Sequence, residues 1–597
     1  MTPRGVTPAV RSETRLRPPD PLWCDPGAPD PATVRELAAA LTLPDAVCSL
    51  LAVRGVSTVE QAKRFLRPRL DHLHDPGLLA DGSRAADRIA AAVRAGETIL
   101  VHGDYDVDGV CAAALYTRWL RSLGARVTPF VPHRLRDGYD FSSGGLAAAR
   151  EAGATLIVTA DCGTVAHETV RAARAEGIDV VVTDHHTVGD GLPEAHAIVN
   201  PRRSDCGYPE KELCGTGVAY KVSALVGRRL GAQESGLHEY LDLVALATVA
   251  DLVPLGGENR VLVSYGLRRF AHSGVPGLRA LLAVAAVPPD QVTAGKLGFV
   301  IAPRINAAGR IGESMDALRL LLTEDDAEAR RLAEMLDTTN RSRQDEDSRT
   351  LDEALAILEG TYEPEDDYGV VLWSEGWHPG VIGIVASRVV ECIHRPVVLV
   401  ALERGRGRGS ARSVPGFHLY EALRECSRHL GRFGGHRQAA GMDIDEAALP
   451  AFREDFNATA RARLTPETLR PLLRPDLELA LAGADLDLAH WLSYLGPHGV
   501  GNPGPLFLAR GVALERGRLV GDKHVKAVLA GEGGRLEAIG FGLAERHPPE
   551  SLAGSPWDVL FKLERNEWRG SVRAQARLVD LRPSGPPGAG GSPARGA

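Results

Sequence analysis

The sequence lacks the features that mark membrane, secreted and zinc-binding proteins. It has no run of about 18 apolar residues that would cross a bilayer, and no apolar signal core stands near its N-terminus. The eight cysteines form no CxxC pair, so neither a disulfide framework nor a zinc site is visible. We therefore expect a cytoplasmic protein in a reducing compartment, with no membrane among its partners.

An excess of positive charge is also missing. The 69 Lys and Arg residues and 77 Asp and Glu residues give a net charge of −8, so no overall basic field indicates a nucleic-acid partner. This is weak evidence against one, because catalytic carboxylates raise the negative count and a local basic groove can still bind phosphates. The apolar fraction of 44% is ordinary for a globular protein. A length of 597 residues predicts about three to five domains.

Strands and helices alternate from about residue 97. The runs "TILVHGD", "TLIVTADCG" and "DVVVTDHH" are typical of buried strands, which predicts a parallel sheet covered by helices. A charged stretch with sparse apolar positions follows, then a second α/β block and a series of short strand-like runs. The predicted divisions are a disordered N-terminus over 1–30, an α/β domain with N-terminal helices over 31–310, a connecting helix over 311–362, a second α/β domain over 363–465, an all-β domain over 466–583 and a flexible tail over 584–597.

The stretch "DYDVDG", residues 104–109, has the acidic spacing that opens a calcium-binding EF-hand loop. Such a loop needs a bidentate glutamate at its twelfth position, where this sequence has Leu115. A predicted strand precedes the stretch and a predicted helix follows it, which is the wrong frame for an EF-hand. The carboxylates therefore lie at the end of a parallel strand, where α/β proteins bind ligands.

Each of the three predicted strands is followed by side chains that bind metals. Parallel strands end at the same edge of a sheet, so residues distant in sequence converge there. One more acid lies in the apolar helix "LVALATVADLVPL", where a charge is costly to bury unless it is paired or bound to a metal. The candidates are His102, Asp104, Asp106 and Asp108 after the first strand, Asp161 after the second, Asp184, His185 and His186 after the third, and Asp251 in the helix.

These ligand types indicate a chemistry. Carboxylates with imidazoles favour Mn²⁺ or Mg²⁺ over a metal that prefers thiolates. Two such ions about 3.5–4 Å apart are the usual apparatus for hydrolysing a phosphate ester, because one activates a water and both neutralise the phosphate. The alternative is that the acids only cap helices and the histidines lie on a surface loop. That alternative suits any one acid, but not the whole set.

An ordered series of motifs resembles a known family. The "DHH" of residues 184–186, with "DYDVDG", "DCG" and Asp251, resembles the DHH phosphoesterase superfamily. The segments "GDYDVDGVCAAAL", "ATVADLVPL", "APRINAAGRI", "GSARSVPGFHLYEAL" and "GRFGGHRQAAGM" resemble its RecJ family over roughly residues 40–582. The resemblance implies an α/β multidomain fold, in which a parallel-sheet DHH domain and a smaller α/β DHHA1 domain are joined by a long helix. A C-terminal all-β OB-fold domain would follow.

The resemblance also implies an activity. It is a 5′→3′ exonuclease activity on single-stranded DNA that releases 5′-mononucleotides by two-metal hydrolysis, in DNA repair and recombination. The cofactors would be two divalent cations, Mn²⁺ by preference or Mg²⁺. The protein would be a monomer associated with the nucleoid. Its partners would be single-stranded DNA, single-strand-binding protein and a recombination or repair helicase.

The matching motifs carry metal ligands over from the family. One bridging carboxylate would serve both ions, and the second ion would be completed either by a histidine or by an acid of the first loop. The ligands of the first ion would be Asp108, Asp161, His185 and Asp251, and those of the second Asp106, Asp161 and either His102 or Asp104. His186 would contact the scissile phosphate or the neighbouring carboxylates.

Further residues are predicted to hold the strand. Guanidinium forks match phosphate oxygens, and neighbouring glycines let the backbone approach closely. OB folds bind single strands through cations and stacking aromatic rings. The predicted phosphate contacts are Arg304, Asn306, Arg310, Ser410, Arg412 and His436, and the predicted DNA contacts are Tyr139, Phe141, Lys523, Lys526 and Trp568. A core position is equally compatible with Trp568.

Two other functions fit part of the sequence. A DHH phosphodiesterase for short oligonucleotides or cyclic dinucleotides would have a shorter chain without the β-domain. A catalytically inactive DNA-binding scaffold would not need the complete set of acids and histidines. Metal-dependent release of nucleotides distinguishes the exonuclease from the scaffold.

Overall fold

The computed structural model describes residues 16, 18–134, 136–138, 140–568 and 570–585, and only the backbone of Trp568. The chain divides into two compact units. The larger unit contains Asp25–Asn340 and the described residues from Arg474 onward, and the smaller contains Arg341–Leu473 and the described residues up to Cys24.

Short elements open the chain: β1 (Leu22–Trp23), α1 (Pro31–Leu41), α2 (Asp45–Val53) and α3 (Val59–Leu66). Asp30 caps α1 by accepting hydrogen bonds from the N–H groups of Ala32 and Thr33. β1 pairs in parallel with Leu472–Leu473. The prediction of disorder over 1–30 is therefore wrong for this stretch, because strand pairing and a helix cap order it. The part of the prediction that falls on residues 1–15 and 17 lies outside the described residues.

A five-stranded parallel sheet with strand order β3-β2-β4-β5-β6 forms the centre of the first α/β domain. Its strands are apolar runs because helices cover both faces, and every residue of Leu156–Ala160 is buried. The elements are α4 (Gly82–Ala95), β2 (Thr98–Gly103), α5 (Val107–Ser122), β3 (Arg126–Phe130), α6 (Ser143–Glu151), β4 (Leu156–Ala160), α7 (His167–Ala175), β5 (Asp179–Thr183), β6 (Ala197–Val199) and α8 (Gly215–Leu230).

A series of helices follows α8 along the chain and ends with a long helix. They are α9 (Glu234–Leu237), α10 (Leu241–Ala250), α11 (Gly257–Arg269), α12 (Pro276–Val284), α13 (Ala294–Lys296), a π-helical turn (Leu297–Ile301), α14 (Ala302–Ile311), α15 (Ser314–Leu322) and α16 (Asp326–Thr361). The connecting helix predicted over 311–362 is thus two helices. The break lies where the Asp325 side chain accepts a hydrogen bond from the N–H of Glu328 and starts α16.

A mixed sheet with strand order β10-β11-β9-β8-β7 forms the smaller unit. Only β7 and β8 pair in parallel. Its elements are β7 (Val370–Ser374), α17 (Ile382–Ile393), β8 (Val397–Glu403), β9 (Arg406–Arg412), α18 (Leu419–Glu425), β10 (Leu430–Gly435), β11 (Ala439–Asp445), α19 (Leu449–Arg463) and β12 (Leu472–Leu473).

A closed barrel follows in the larger unit, with strand order β14-β15-β16-β18-β17 and β17 paired back to β14. All pairs are antiparallel except β16 with β18, and this five-stranded closure is the OB type. The elements are β13 (Leu477–Glu478), α20 (Leu486–Leu492), β14 (Phe507–Val520), β15 (His524–Gly531), β16 (Gly534–Gly540), β17 (Trp557–Trp568) and β18 (Ser571–Pro583). The predicted fold class is confirmed.

The N-terminal helices α1–α3 belong with the barrel, not with the parallel sheet. Leu37, Leu50 and Leu51 share one hydrophobic core with Phe507 and Phe561 of the barrel strands. Their placement in a domain over 31–310 is corrected, because an amphipathic helix buries its apolar face on any complementary surface, however distant in sequence. Among the described residues, no helix has the length and apolar character of a membrane span.

A buried ion pair joins α8 to α11. The Lys221 ammonium lies 2.6 Å from a Glu258 carboxylate oxygen, and both side chains are almost fully buried. Glu258 also accepts hydrogen bonds from the N–H of His74 and the hydroxyl of Tyr208. Burial lowers the pKa of Lys221 even though Glu258 acts in the opposite direction.

Removing one member of this pair should destabilise the larger unit. We expect Glu258→Ala to cost about 3–5 kcal/mol of unfolding free energy, because it leaves the Lys221 ammonium buried without a counter-charge. The double variant Lys221→Met/Glu258→Gln removes both charges and keeps an acceptor for His74 and Tyr208, so it should lose less. Calorimetric unfolding measures both, and equal losses in the two variants would show that the unpaired charge is not the cause.

Candidate active site

The first loop of the site follows β2 and folds back onto the start of α5. Asp106 caps α5, because its Oδ1 accepts hydrogen bonds from the N–H groups of Asp108 at 2.9 Å and Gly109 at 3.2 Å. Gly109 permits the fold, since a Cβ atom there would lie 2.3 Å from the backbone nitrogen of Asp104. The Asp104 side chain is buried, and its carboxylate lies close to that of Asp106.

The start of α8 holds two of the acids in place. Asp108 accepts hydrogen bonds from the N–H groups of Gly215 at 2.6 Å and Thr216 at 2.7 Å, the first residues of α8. A helix N-terminus favours a negative charge at this position. Gly215 also packs on Asp161, where an added Cβ would lie 2.4 Å from the Asp161 Cβ. Only glycine therefore allows α8 to approach both carboxylates.

Asp161 has strained backbone. It follows β4 with a φ of +69°, in the left-handed region that residues with a side chain seldom occupy. The end of β5 holds it there, because its N–H donates to the carbonyl of Thr183 at 3.0 Å and Cys162 forms a β-bridge with Thr183. Strain of this kind persists where surrounding structure imposes it, and it concentrates at functional sites.

Asp184 orients the two histidines that follow it. Its Oδ1 accepts hydrogen bonds from the N–H groups of His185 at 2.7 Å and His186 at 3.1 Å, and lies 2.8 Å from His186 Nδ1. Burial alone would lower the pKa of His186, but the hydrogen bond and charge of Asp184 and the nearby acids outweigh it and raise that pKa to about 9. Asp184 therefore favours the protonated form of the His186 imidazole.

His185 lies at the centre of the acids. Its Nε2 is 3.1 Å from an Asp161 oxygen, 3.6 Å from Asp251 and 3.8 Å from Asp108. Ligand atoms within 4.8 Å of one another form three overlapping groups among the described residues: Asp104, Asp106 and Asp161; Asp108, His185 and Asp251; and Asp161, His185 and His186.

The electrostatics of these groups suit divalent cations. Burial first, and then the charges of the neighbouring acids, raise the pKa of Asp161 well above its usual range and that of Asp251 to about 8. Burial lowers the pKa of His185, which keeps its imidazole neutral as a ligand must be. Buried atoms of Asp104, Asp161 and His185 make no hydrogen bond within the described chain. Oxygen donors with one or two imidazoles fit Mn²⁺ or Mg²⁺.

His102 does not belong to any of these groups. It is fully buried, with its ring centroid 5.3 Å from that of Phe130 and 5.2 Å from that of Phe141 and its Nδ1 3.5 Å from Cys162 Sγ. Burial lowers the pKa of His102 to about 4. The prediction that His102 is a ligand is therefore corrected, and the second alternative, Asp104, lies with the other acids.

The predicted base-stacking role of Phe141 is also corrected. Its side chain is 2% exposed, because it packs into the apolar cluster beneath the sheet that also contains Leu146. A ring in that position has no free face for a base. The other aromatic residue of this prediction, Tyr139, lies outside the described residues.

Helix α14 packs on the acidic loop. The Asn306 Oδ1 accepts a hydrogen bond from the N–H of Val107 at 3.1 Å, and an added Cβ at Gly309 would lie 2.5 Å from the carbonyl oxygen of Tyr105. Arg310 is close enough to affect the pKa of Tyr105, which burial raises to about 12. Arg304 instead binds Asp337 at 2.9 Å. Its guanidinium is thus already engaged, and Asn306 positions the loop.

The smaller unit contains a second polar cluster. The Arg412 Nη1 donates to Ser410 Oγ at 3.2 Å at the end of β9, and α17 begins against both side chains. An added Cβ at Gly383 of α17 would lie 2.8 Å from Ser410 Oγ and from Arg412 Nη2. His436 is exposed in the turn after β10. In the same turn, the carbonyl of Gln438 accepts a hydrogen bond from the N–H of Ser413 at 3.0 Å.

The outer face of the barrel carries one exposed aromatic ring that the sequence patterns did not indicate. Phe541 follows β16, is 57% exposed, and lies 5.2 Å from the His524 ring. Lys523 is exposed in the adjoining turn, whereas the Lys526 ammonium pairs with Glu537 at 3.5 Å. The side chain of Trp568 is outside the described part of the chain.

Comparisons with known proteins cover all three domains. Sequence models match for the DHH family, N-terminal domain, at residues 98–248, for the DHHA1 domain at residues 366–462, and for the RecJ OB domain at residues 475–580. The single-stranded-DNA-specific exonuclease RecJ of Dickeya dadantii (strain 3937) is 38% identical over 574 residues, which are 92% of this chain and 98% of the relative. The chain belongs to the RecJ family.

Other RecJ relatives agree with this assignment. The exonuclease of the same name from Thermus thermophilus is 39% identical over 561 residues, covering 94% of this chain and 78% of the relative. A crystal structure of RecJ in complex with Mn²⁺ from the same organism superposes with a TM-score of 0.82 at 36% identity, over 94% of this chain and 80% of that chain. The predicted family resemblance is confirmed.

Sequence reasoning missed several residues around the site of this RecJ-family chain. Asn200, directly after β6, donates to Thr164 Oγ1 at 3.0 Å and to the carbonyl of His186 at 2.9 Å. Leu252, next to Asp251, is 69% exposed, and Phe299 on the π-helical turn is 87% exposed. The sequence signal for Asn200 is that it is a polar residue directly after a strand. Exposure of an apolar residue has no signal in a single sequence.

Asp161 belongs to two ligand groups, so its loss should affect both predicted ions. We expect Asp161→Ala to lower Mn²⁺ affinity and nucleotide release by at least about 100-fold, the upper end of what losing an outer-sphere partner costs. Single-strand binding in the presence of a chelator should persist. Calorimetric Mn²⁺ titration and release of end label measure the two effects.

Asp179→Ala is the matched control, because Asp179 begins β5 at the opposite edge of the same sheet and pairs with Arg88. It should keep native Mn²⁺ affinity. If Asp161→Ala bound Mn²⁺ and hydrolysed DNA as Asp179→Ala does, the shared-ligand assignment would be wrong.

Proposed function

We propose that this chain is a metal-dependent exonuclease that digests single-stranded DNA from its 5′ end and releases 5′-mononucleotides. The observation that carries the proposal is the set of overlapping ligand groups that share Asp161 and His185 at the carboxyl edge of a parallel sheet. Bound divalent cations would supply an activated water and neutralise charge on the scissile phosphate. The relatives that match more than nine-tenths of this chain are named single-stranded-DNA-specific exonucleases.

The residues divide between two ions and the substrate. Asp104 and Asp106 would hold one ion, and Asp108 and Asp251 would hold the other. Asp161 and His185 would lie between the two ions. The overlap of the ligand groups supports this division. We favour Mn²⁺, because His185 offers an imidazole nitrogen whereas Mg²⁺ is bound mainly through oxygen. His186, whose protonated form Asp184 favours, is suited to bind an oxygen of the scissile phosphate.

The polar cluster of the smaller unit is proposed to bind the terminal 5′-phosphate. Arg412 presents a guanidinium fork beside Ser410, and Gly383, which has no side chain, lets the start of α17 lie close against both. Guanidinium and hydroxyl donors of this kind fit a phosphate dianion. Recognition of that group would give the enzyme its 5′→3′ polarity.

This assignment predicts a difference between two kinds of DNA end. Arg412→Ala should reduce kcat/KM on 5′-phosphorylated strands about tenfold more than on 5′-hydroxyl strands, because a hydrogen bond to a charged group contributes about 1.5–3 kcal/mol. Arg424→Ala is the control, since Arg424 is an exposed arginine of α18 that pairs with Glu421. Equal losses on both substrates would indicate a general backbone contact.

The barrel is proposed to hold the strand beyond the site. Phe541 offers an exposed ring beside His524, and Lys523 offers an exposed ammonium in the adjoining turn. Base stacking on an aromatic ring contributes about 1–3 kcal/mol per base and tolerates any sequence. Such contacts suit a processive enzyme without sequence preference.

Stacking can be separated from simple apolar burial at Phe541. We expect Phe541→Leu and Phe541→Ala to weaken binding of a long single strand about tenfold, within the range of one stacked base, and Phe541→Trp to retain it. Fluorescence anisotropy at fixed salt with a chelator measures the affinity. If Phe541→Leu bound as tightly as the native protein, the ring would not stack on a base.

Partners follow from the substrate. Single-stranded DNA arises when a duplex is unwound, so a repair or recombination helicase would supply it and single-strand-binding protein would share it. An enzyme with this substrate would work as a monomer on the nucleoid in the cytoplasm.

A further inference from the structure

A tight turn that precedes the barrel strand β14 contacts the segment that follows Asp251, one of the proposed metal ligands. Residues 499–502 form the turn, which is closed by two backbone hydrogen bonds between Gly499 and Asn502, at 3.0 and 3.1 Å. The carbonyl of Val500 accepts a hydrogen bond from the N–H of Leu255 at 2.7 Å. Leu255 is only four positions after Asp251, so the contact lies close to the site along the chain.

The turn fits because two of its residues have no side chain. An added Cβ at Gly501 would lie 2.9 Å from the Pro254 Cβ, and one at Gly499 would lie 2.7 Å from Leu255 Cδ1. Both distances are below the range of normal carbon contacts. Gly501 also has a φ of +71°, in the left-handed region.

The segment between Asp251 and the turn is short and conformationally restricted. Asp251 directly follows α10 as its C-terminal cap, and its N–H donates to the carbonyl of Ala247. Leu252 has a φ of +59°, and Pro254 fixes its own φ and restricts the residue before it. The buried Asn259 side chain donates to the carbonyl of Pro254 at 3.1 Å. A displacement of Pro254 or Leu255 is therefore not absorbed by flexible backbone before it reaches Asp251.

Two arginines hold the loop that carries the turn. Arg260 donates to the carbonyl of Gly496 at 2.6 Å and stacks on the Phe65 ring, with its guanidinium carbon 3.7 Å from the ring centroid. Arg54 donates to Asn502 Oδ1 at 2.9 Å, and the Asn502 amide donates to the carbonyls of Leu495 and Pro497. The turn is thus fixed from the N-terminal helices and from α11 at the same time.

We propose that the turn at residues 499–502 is a positioning element of the metal site, which fixes Asp251 through Pro254 and Leu255. The barrel domain then completes the coordination geometry of the ion bound by Asp108, His185 and Asp251, in addition to contacting the strand. The inference rests on the proposed function in that it takes Asp251 as a ligand. Gly499 and Gly501 act through Asp251 and touch neither metal nor substrate.

Gly501→Ala tests the proposal in the full-length protein. The added methyl group should push Pro254 away and weaken binding of the Asp251-site Mn²⁺ about tenfold, as loss of an outer-sphere support does. Mn²⁺ titration by calorimetry without DNA measures this directly. In activity assays the Mn²⁺ concentration for half-maximal rate should rise, while kcat at saturating Mn²⁺ and single-strand affinity in a chelator stay near native.

Gly511→Ala is the matched control for backbone strain. Gly511 lies in β14 of the same domain with a φ of +63° and has no atom within 4 Å of its added Cβ. Gly511→Ala should lose a small amount of stability, as Gly501→Ala does, but keep native Mn²⁺ affinity. Equal Mn²⁺ affinity in Gly501→Ala and Gly511→Ala would overturn the proposal, and so would a parallel loss of metal binding, DNA binding and thermal stability.

Two further variants keep the outcome decisive. If Gly501→Ala does not fold, Gly499→Ala carries the same test, because its methyl group would lie 2.7 Å from Cδ1 and 3.3 Å from Cγ of the buried Leu255 side chain and so press on the same segment without meeting its backbone. Asp251→Asn separates this inference from the proposed function. If Asp251→Asn leaves Mn²⁺ binding unchanged, Asp251 is not a ligand and both fail; if Asp251→Asn alone weakens Mn²⁺ binding, the metal site stands and only the positioning role fails.

Discussion

The structure depends on negative charge concentrated in a place without enough positive charge to balance it. Three carboxylates, those of Asp108, Asp161 and Asp251, converge on His185 at the edge of the parallel sheet, and burial makes each of their charges costly. His186 lies beside these acids, but its Nδ1 is paired with Asp184 at 2.8 Å. A bound cation would supply the missing charge, and in its absence the raised pKa values of Asp161 and Asp251 favour protonation of these acids. Most of the polar structure nearby serves to keep the acids in position for that cation.

The supporting contacts come from every side of the site. The start of α8 fixes Asp108, α14 fixes the loop before α5 through Asn306, and β5 imposes the strained backbone of Asp161. Each contact uses a backbone group or a short polar side chain, which leaves little rotational freedom. Pre-organisation of this kind favours metal binding because the ligands lose little conformational entropy when the ion arrives.

Sequence patterns predicted the features that depend on the order of residues along the chain. Apolar runs located the strands, and the family motifs located the acids that follow them, because a parallel sheet brings strand ends together. The patterns failed where the outcome depends on which neighbour fills a space. His102 stands in the metal loop by sequence, yet it lies in an apolar pocket with Phe141. Helices α1–α3 precede the parallel sheet, yet they pack on the barrel. Neither result is encoded in periodicity, since an apolar surface does not specify its partner.

The shared core of the first helices and the last domain has a consequence for synthesis on the ribosome. Arg54 binds Asp476, a residue that the ribosome adds 422 positions later, and the barrel strands that bury Leu50 and Leu51 come later still. Until then those leucines can pack only on the other N-terminal helices, whereas the parallel sheet has all its strands by Val199. The N-terminal region thus cannot complete its native core until the barrel strands are synthesised, long after the last strand of the central sheet. A ribosome that stalls within the barrel therefore holds a chain with every strand of the sheet and with leucines near its start that lack their barrel partners, the kind of apolar surface that chaperones and proteases bind.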